Sequence, residues 1–383
     1  MATQRFDMVI RGARVIDPAQ DLDERADVGI RDGRIATVGR IPDEAPEMVD
    51  AGGLIASPGW IDLHAHVAHK LGRTSVHPDQ DAGVARGVTT VVDAGSCGAG
   101  LYDGFSAYIV RGATTRVLAF LNVSLHTALA PRHGSWENFD QKQTMATAER
   151  YAGEILGIKV LASRTHCGNM TLTPVKLAVQ AARWSGTRVM CHIGNAPPVI
   201  QDVLALLGPG DIVTHCWHGK PGGLLDRHGR PIAEARAAAD RGVLFDIGHG
   251  SQSFSFETAR RAMAGGLPLH SISTDIHAGN LAGPVRDMAT TMAKFLHLGL
   301  SLRQVITAST LGPAKAIGLE KEIGTLRPGA AADVTVFRLR EGQFAYADSE
   351  GRTEEARVAL EPLRTIRAGR SVATASPAEV AGR

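Results

Sequence analysis

Two histidines at the end of an apolar run are the residues of this sequence best suited to chemistry. His64 and His66 lie in residues 57–67, SPGWIDLHAHV, a segment with the composition of a buried strand. Side chains at positions i and i+2 of a strand point to the same face, so both imidazoles are expected on one side. Two nitrogen ligands on one surface indicate a metal site. Because the chain has 15 histidines, the pair alone is also compatible with two structural residues.

The motif around this pair resembles that of the amidohydrolase superfamily. There the first strand of the barrel ends in Pro-Gly-x-Ile-Asp-x-His-x-His, and the same pattern runs here from Pro58 to His66. The resemblance implies further metal ligands, each at the end of an apolar run and in the order that binuclear members of the superfamily use. These candidates, at the ends of strands four, five, six and eight, are Lys159, His192, His215 and Asp275.

The resemblance also implies two divalent ions, most simply Zn²⁺, and a carbamylated Lys159. A protonated lysine has no lone pair for a metal, whereas carbamylation by CO2 turns the amine into an anionic carboxylate that can bridge two ions. The more buried ion would be held by His64, His66 and Asp275, and the more exposed one by His192 and His215. A hydroxide bridging the ions would attack the substrate carbonyl, with Asp275 acting first as base and then as acid.

Residues 56 to about 318 alternate β-rich runs with Ala-rich helical stretches, which predicts a (β/α)8 barrel. Its strands two, three and seven fall at 88–94, 116–124 and 243–248, and helices at 173–185, 231–241 and 256–264. In such a barrel the catalytic face lies where the strands end, which is where every proposed ligand falls. The chain ends have short alternating segments, and the resemblance implies that they join in one small β-sandwich. The predicted domains are therefore a catalytic barrel at 56–318 and a β-sandwich formed jointly by residues 1–55 and 319–383.

Composition excludes several classes of partner. Lys and Arg number 41 and Asp and Glu 39, a formal net charge of +2, so no overall field favours nucleic acid or an anionic membrane. No signal peptide and no run of about 18 apolar residues occurs, which predicts a cytoplasmic protein with a small-molecule partner. Cys191 and Cys216 adjoin proposed ligands, but strand alternation points their thiols to the opposite face, into the core. Assembly as a homo-oligomer stays open.

The residues that follow the histidine pair bear on the substrate. Dihydroorotases place an arginine shortly after the pair to grip the substrate carboxylate, whereas this chain has Val67-Ala-His-Lys70. Segments 87–95, 245–256 and 273–277 resemble the deacetylase-like branch, often labelled dihydroorotase, whose members cleave acetyl esters or N-acyl groups from small carboxylates. We therefore expect a hydrolase of an acyl amide or acetyl ester of a small, anionic molecule. A cyclic amidohydrolase of the dihydroorotase or dihydropyrimidinase kind and a non-catalytic scaffold of the same fold are the alternatives.

Four residues just beyond strand ends are candidates for substrate binding: Arg164, His277, His218 and Asn195. Arg164 would pair with a carboxylate, although a loop arginine is more often a solvated surface charge. His277, two residues past Asp275, suits a substrate contact and the support of a metal ligand equally well.

Overall fold

The computed structural model describes residues 6–72, 74–126 and 134–374. The strands are β1 (Met8–Asp17), β2 (Leu22–Arg31), β3 (Arg34–Gly39), β4 (Glu47–Asp50), β5 (Ile55–Pro58), β6 (Trp60–Ala65), β7 (Val88–Gly98), β8 (Arg116–Asn122), β9 (Ile155–Ala162), β10 (Arg188–Ile193), β11 (Ile212–Thr214), β12 (Leu244–Asp246), β13 (Val334–Ala347), β14 (Thr353–Arg367) and β15 (Arg370–Ala373). The helices are α1 (Tyr102–Phe105), α2 (Gln141–Arg150), α3 (Arg164–Cys167), α4 (Thr173–Trp184), α5 (Ile200–Leu206), α6 (Ala233–Asp240), α7 (Phe256–Ala264), α8 (Met288–His297), α9 (Leu302–Ser309) and α10 (Leu311–Ile317). Short 3₁₀ or π turns lie at Pro18–Gln20, Pro78–Ala82, Val84–Arg86, Ser106–Val110, Trp136–Asn138 and Gly168–Met170.

Seven parallel strands, β6 to β12, follow one another in chain order around one sheet. Segment 271–276 closes the ring through parallel bridges from Ser271 to Asp246 of β12 and from Ile276 to Ala65 of β6. Helices α4, α6 and α7 lie between these strands, close to their predicted bounds. The predicted (β/α)8 barrel is confirmed.

The eighth strand is reduced to these two bridges, whereas the sequence predicted a regular strand at 271–275. Side chains take up its backbone donors, because Thr274 N donates to Asp62 Oδ1 at 3.0 Å and Ile276 N donates to Thr274 Oγ1 at 2.9 Å. Asp275 has a left-handed backbone with a φ of 49°, which ends regular pairing. The barrel is thus closed largely through the Asp62 side chain.

The segment 57–67, which the sequence predicted as one strand, is divided between two sheets. β5 pairs with β13, with Pro58 opposite Val334, while β6 begins at Trp60 and pairs with β7. Gly59 permits this change of sheet, since a Cβ atom at that position would lie 2.2 Å from Thr89 Oγ1.

The second sheet is built from both ends of the chain, as predicted. Its strand order is β15-β14-β13-β5-β1-β2-β3, and β4 also pairs with β1. The C-terminal strands join the N-terminal ones because β13 lies antiparallel to β5, which lies parallel to β1. A separate apolar core packs against this sheet and includes Val15, Val28, Val334 and Ile366. The domain limits at 55/56 and 318/319 stay a prediction.

One end of the barrel is covered by α10. Arg188, the first residue of β10, donates to the carbonyl of Ala316, and Ile317 packs in one apolar cluster with Ile61 and Phe120 of the barrel strands. The opposite end, where the strands finish, is left for a site. Cys191 and Cys216 are buried in the apolar core, as strand alternation predicted. Within the described ranges, no helix combines the length and apolar character that crossing a membrane requires.

The hairpin of β13 and β14 reaches from the second sheet to a loop of the barrel. At its turn, Ser349 N donates to Phe254 O, 2.9 Å away, in the loop that follows β12. Lys294 of α8 is fully buried, donates to Ala347 O at 2.8 Å and lies 2.7 Å from His249 Nε2 of the same loop. The hairpin and this loop therefore share one hydrogen-bond network.

Packing between the two sheets can be tested at Phe337 of β13. Its ring lies edge-on to Trp60 of β6, with centroids 5.3 Å apart, and both side chains are fully buried. Because Phe337→Ala leaves a cavity at this junction, we expect the free energy of unfolding to fall by about 3–5 kcal/mol, measured by urea unfolding with circular dichroism. Trp184→Ala, which truncates a side chain 72% exposed, should change it by less than about 0.5 kcal/mol. Equal effects of the two variants would contradict the packing role.

Candidate active site

A cavity of about 690 Å³ lies at the carboxyl ends of the barrel strands. Every predicted metal ligand lines it: His64, His66, Lys159, His192, His215 and Asp275. They are distant in sequence but meet in space, because parallel barrel strands all end at the same rim. The structure thus brings the whole predicted set together, while their assignment as ligands stays a prediction.

The most compact group within the set is His64, His66 and Asp275. One nitrogen or oxygen atom from each lies within 4.8 Å of the others. Asp275 Oδ1 is 3.1 Å from His66 Nε2 and 3.4 Å from His64 Nε2. A Cβ atom at Gly250 would lie 2.4 Å from Asp275 Oδ2, so the glycine leaves room for the carboxylate. Two imidazole nitrogens and a carboxylate oxygen are a donor set that fits a borderline divalent ion.

Asp275 is ionised in this environment. Burial by itself would raise the pKa of its carboxyl, but the hydrogen bond with His66 and the nearby His215 lower the pKa to about 2. At neutral pH the carboxylate is therefore able to bind a cation or to accept a proton.

Lys159 is fully buried beside the histidines. Its Nζ lies 3.1 Å from His64 Nε2 and 3.8 Å from Met190 Sδ. Gly95, with a φ of 83°, lies against the lysine stem, where a Cβ atom would be 2.6 Å from Lys159 Cγ. Burial lowers the pKa of the amine to about 8, which increases the fraction of neutral amine at neutral pH. Only the neutral amine reacts with CO2, so the environment fits carbamylation.

His192 and His215 complete the group. Their ring centroids are 4.4 Å apart, and the His215 ring is 4.9 Å from that of His64. His215 Nδ1 donates to Gly248 O at 2.6 Å, which leaves Nε2 as the nitrogen free for a ligand. Burial lowers the pKa of His215 to about 3 and that of His192 well below its ordinary value. Both rings are thus neutral at pH 7, the form that binds metals.

A hydrogen-bond relay behind His64 orients its ring. Thr214 Oγ1 donates to Asp246 Oδ2 at 2.7 Å, so the contact of 2.7 Å between His64 Nδ1 and Thr214 Oγ1 requires a proton on Nδ1. The relay leaves Nε2 unprotonated and directed at Asp275 and Lys159. His66 has a similar contact, because its Nδ1 lies 2.8 Å from Ser96 Oγ. Sequence analysis missed these supporting residues.

Two of the four predicted substrate contacts lie in the cavity. His277 and Asn195 both line it. His277 Nδ1 accepts from Gly279 N, so the neutral ring carries its proton on Nε2, which is 3.1 Å from Ser251 Oγ. A ring fixed in this way can donate to a substrate oxygen or support Asp275.

The structure does not bring the other two into the cavity. Arg164 is exposed at the start of α3 and is not among the lining residues, because Thr165 and His166 take the inward positions of that turn. His218 is buried behind the rim, where its Nδ1 accepts from Lys220 N at 3.1 Å. Its fixed position therefore suits a role in loop structure.

Two side chains without a predicted role line the cavity instead: His166 and Lys220. Ser163 Oγ lies 2.8 Å from His166 Nδ1, and the His166 ring is 5.2 Å from that of His192. The available sequence signal was position, since both residues follow closely on a predicted strand end.

Residues 55–372 match the Amidohydrolase family. The chain belongs to this family. A deacetylase of Agrobacterium fabrum is 38% identical over 349 residues, which cover 89% of this chain and 85% of that protein. The crystal structure of an adenine deaminase superposes with a TM-score of 0.91 at 34% identity, covering 96% of this chain and 100% of that one. The crystal structure of a dihydroorotase superposes with a TM-score of 0.87 at 34% identity, covering 96% and 98%.

This amidohydrolase is therefore a hydrolytic enzyme. Metal binding is typical of its family, and the donor set of His64, His66 and Asp275 is of the kind such an ion needs. The first relatives are similar over most of the chain, so the likeness includes both the barrel and most of the second sheet.

The relay to His64 can be tested with Thr214→Val, which keeps the shape of the side chain but removes its hydroxyl. We expect the affinity for Zn²⁺ to fall by about 10- to 100-fold, because the ring loses the group that sets its tautomer. Competition with a chromophoric chelator measures this affinity. Thr37→Val, in β3 of the second sheet, is the matched control. Unchanged affinity in a folded Thr214→Val protein would contradict the relay.

Proposed function

We propose that this amidohydrolase removes an acyl group from a small molecule that carries a carboxylate, as an acyl amide or an acetyl ester. The supporting observation is the cavity itself, where three neutral imidazoles, a buried amine and an ionised carboxylate converge. The deacetylase of Agrobacterium fabrum, similar over 89% of the chain, supports acyl removal as the reaction. No arginine follows the histidine pair at Val67-Ala-His-Lys70, which argues against dihydroorotate as substrate.

The residues divide naturally into two ligand groups. One ion would be held by His64, His66 and Asp275, and a second by His192 and His215. Lys159 would bridge them as a carbamate, formed when its neutral Nζ adds to the carbon of CO2 and releases one proton. Two such ions, when bound, would supply a Lewis acid for the acyl carbonyl and lower the pKa of a water molecule. With two dications and these anionic groups, the site would favour an anionic substrate.

Asp275 would move the proton of the reaction. Its carboxylate is ionised at neutral pH, and Gly250 leaves room around Oδ2. It would accept a proton from the attacking water and donate it to the departing nitrogen or oxygen of the substrate, which leaves as a neutral amine or alcohol. His277, two residues further on, would hold the acyl or leaving group through Nε2–H.

Ring opening of a cyclic amide is the second candidate. The dihydroorotase structure, with a TM-score of 0.87 and 34% identity, favours it, since the same donor set serves both reactions. An assay of acetate release from N-acetyl amino acids and O-acetyl hydroxy acids, run beside dihydroorotate and hydantoins, separates the two. We expect acetate release and no ring opening. Turnover of the cyclic compounds alone would overturn the proposal, and a protein that binds no metal would indicate a non-catalytic scaffold.

Replacement of the proton carrier gives a direct test. Asp275→Asn removes the base and the negative charge, so kcat for acetate release should fall by about 100- to 10,000-fold in protein saturated with Zn²⁺. Asp240→Asn, at the exposed end of α6, should leave kcat unchanged. A kcat near that of the wild type in Asp275→Asn would remove Asp275 from the chemistry.

Carbamylation of Lys159 predicts an isotopic signature. Protein loaded with Zn²⁺ in ¹³C-bicarbonate should show a carbamate carbon resonance that persists after gel filtration, because two metal contacts protect the carbamate from loss of CO2. Lys159→Met should lose the resonance and bind less metal, whereas Lys176→Met, on the exposed face of α4, should keep both. The same resonance in Lys159→Met would place the modification elsewhere.

A further inference from the structure

The cavity contains a cationic side chain that the metal centre does not use. Among the described residues that line it, the lysines are Lys159 and Lys220, and the single carboxylate is that of Asp275. Lys159 lies fully buried against His64. Lys220 is half-buried, on the loop that follows β11. Its ammonium is therefore the charge available to a ligand rather than to the metal centre.

Lys220 has no anionic partner of its own in the described residues of the chain. Burial lowers the pKa of its ammonium, and Asp275 in the cavity is the carboxylate that opposes this shift. Glu350 packs against the neighbouring Gly219, but Ser255 Oγ donates to Glu350 Oε2 at 2.8 Å. A half-buried cation without a carboxylate contact gains most from an anionic ligand.

The backbone at Lys220 is held in place. Its N–H donates to His218 Nδ1 at 3.1 Å, and His218 is buried. A Cβ atom at Gly223 would lie 2.9 Å from His218 Cε1, so the loop closes tightly over that ring. The lysine stem therefore starts from a fixed point, which limits the positions that its ammonium can reach.

The other polar groups around the rim are neutral. Ser163, Thr165, Asn195, Ser251 and Ser253 line the same cavity and offer hydroxyl and amide groups. They can donate hydrogen bonds, but they do not discriminate a carboxylate from a carboxamide by charge.

We propose that Lys220 binds the carboxylate of the substrate and sets the preference of the enzyme for anionic acyl compounds. This inference rests on the proposed function, because it names the residue that recognises the acid end of the molecule. Lys220 and Asp275 line one cavity, so the carboxylate and the scissile bond belong to the same small substrate. The contact would be a charge-assisted hydrogen bond, which a neutral isostere of the carboxylate cannot replace.

Substrate pairs that differ only in charge test the proposal. Pairs such as N-acetylglycine with N-acetylglycinamide, and O-acetylglycolate with O-acetylglycolamide, are assayed with the Zn²⁺-loaded enzyme. The wild type should prefer the acid. In Lys220→Met, kcat/KM for the acid should fall by about 10- to 100-fold through KM, with little change for the amide. Lys220→Arg should retain most of the preference, and Lys176→Met, exposed on α4, should retain all of it.

A Lys220→Met enzyme with the full preference for the acid would overturn the inference. If the wild type releases acetate from no compound, the proposed function fails, and Lys220 is then tested by binding alone. Isothermal titration of glycolate into the Zn²⁺-loaded wild type and Lys220→Met proteins gives that readout. Weaker binding to the variant supports the anion contact independently of turnover, while equal binding, or none to either protein, overturns it.

Discussion

Closure of the barrel by one buried carboxylate positions the whole centre. Asp62 accepts hydrogen bonds from the backbone N–H and the hydroxyl of Thr274, and Asp275 N donates to His64 O at 2.6 Å. Burial raises the pKa of Asp62 to about 7, which reflects a site with little access to water, where hydrogen bonds are strong. These contacts join the first and last strand segments. They place the Asp275 carboxylate beside His64 and His66 before any metal is present.

Two of the proposed ligands leave regular strand geometry to reach the cavity. His215 and Asp275 have φ values of 68° and 49°, a region that costs a non-glycine residue about 1–3 kcal/mol. Each is held there by a hydrogen bond, His215 through its ring to Gly248 O and Asp275 through its backbone to His64 O. The left-handed backbone turns each side chain inward at the point where strand alternation no longer applies. Backbone strain at these two positions thus contributes to assembling the donor set.

The convergence of the proposed ligands could be predicted from the sequence because it depends on topology alone. A residue at the end of a parallel barrel strand reaches the common rim whatever the details of packing. The relay from Thr214 to Asp246 could not, since it depends on which side chains of neighbouring strands face each other across the barrel. The division of 57–67 between two sheets depends on a contact between Gly59 and Thr89, which local composition does not reveal.

Loop residues were the least predictable. His218 and Lys220 lie two positions apart after β11, yet His218 packs inward behind the rim and Lys220 lines the cavity. Periodicity ends with the strand, so no pattern in the sequence assigns these directions. The same holds for Arg164, which lies beside two inward-facing neighbours but is itself exposed.

The hairpin of β13 and β14 has a consequence for how the enzyme matures on the ribosome. The loop that follows β12 shares hydrogen bonds with the hairpin turn at Ser349, and Lys294 joins that loop to Ala347. These hairpin residues emerge from the exit tunnel only after all of the barrel strands have been translated. A nascent barrel without them has an unanchored loop next to Asp275. Synthesis of the carboxyl-terminal strands is thus the event that completes the mouth of the barrel.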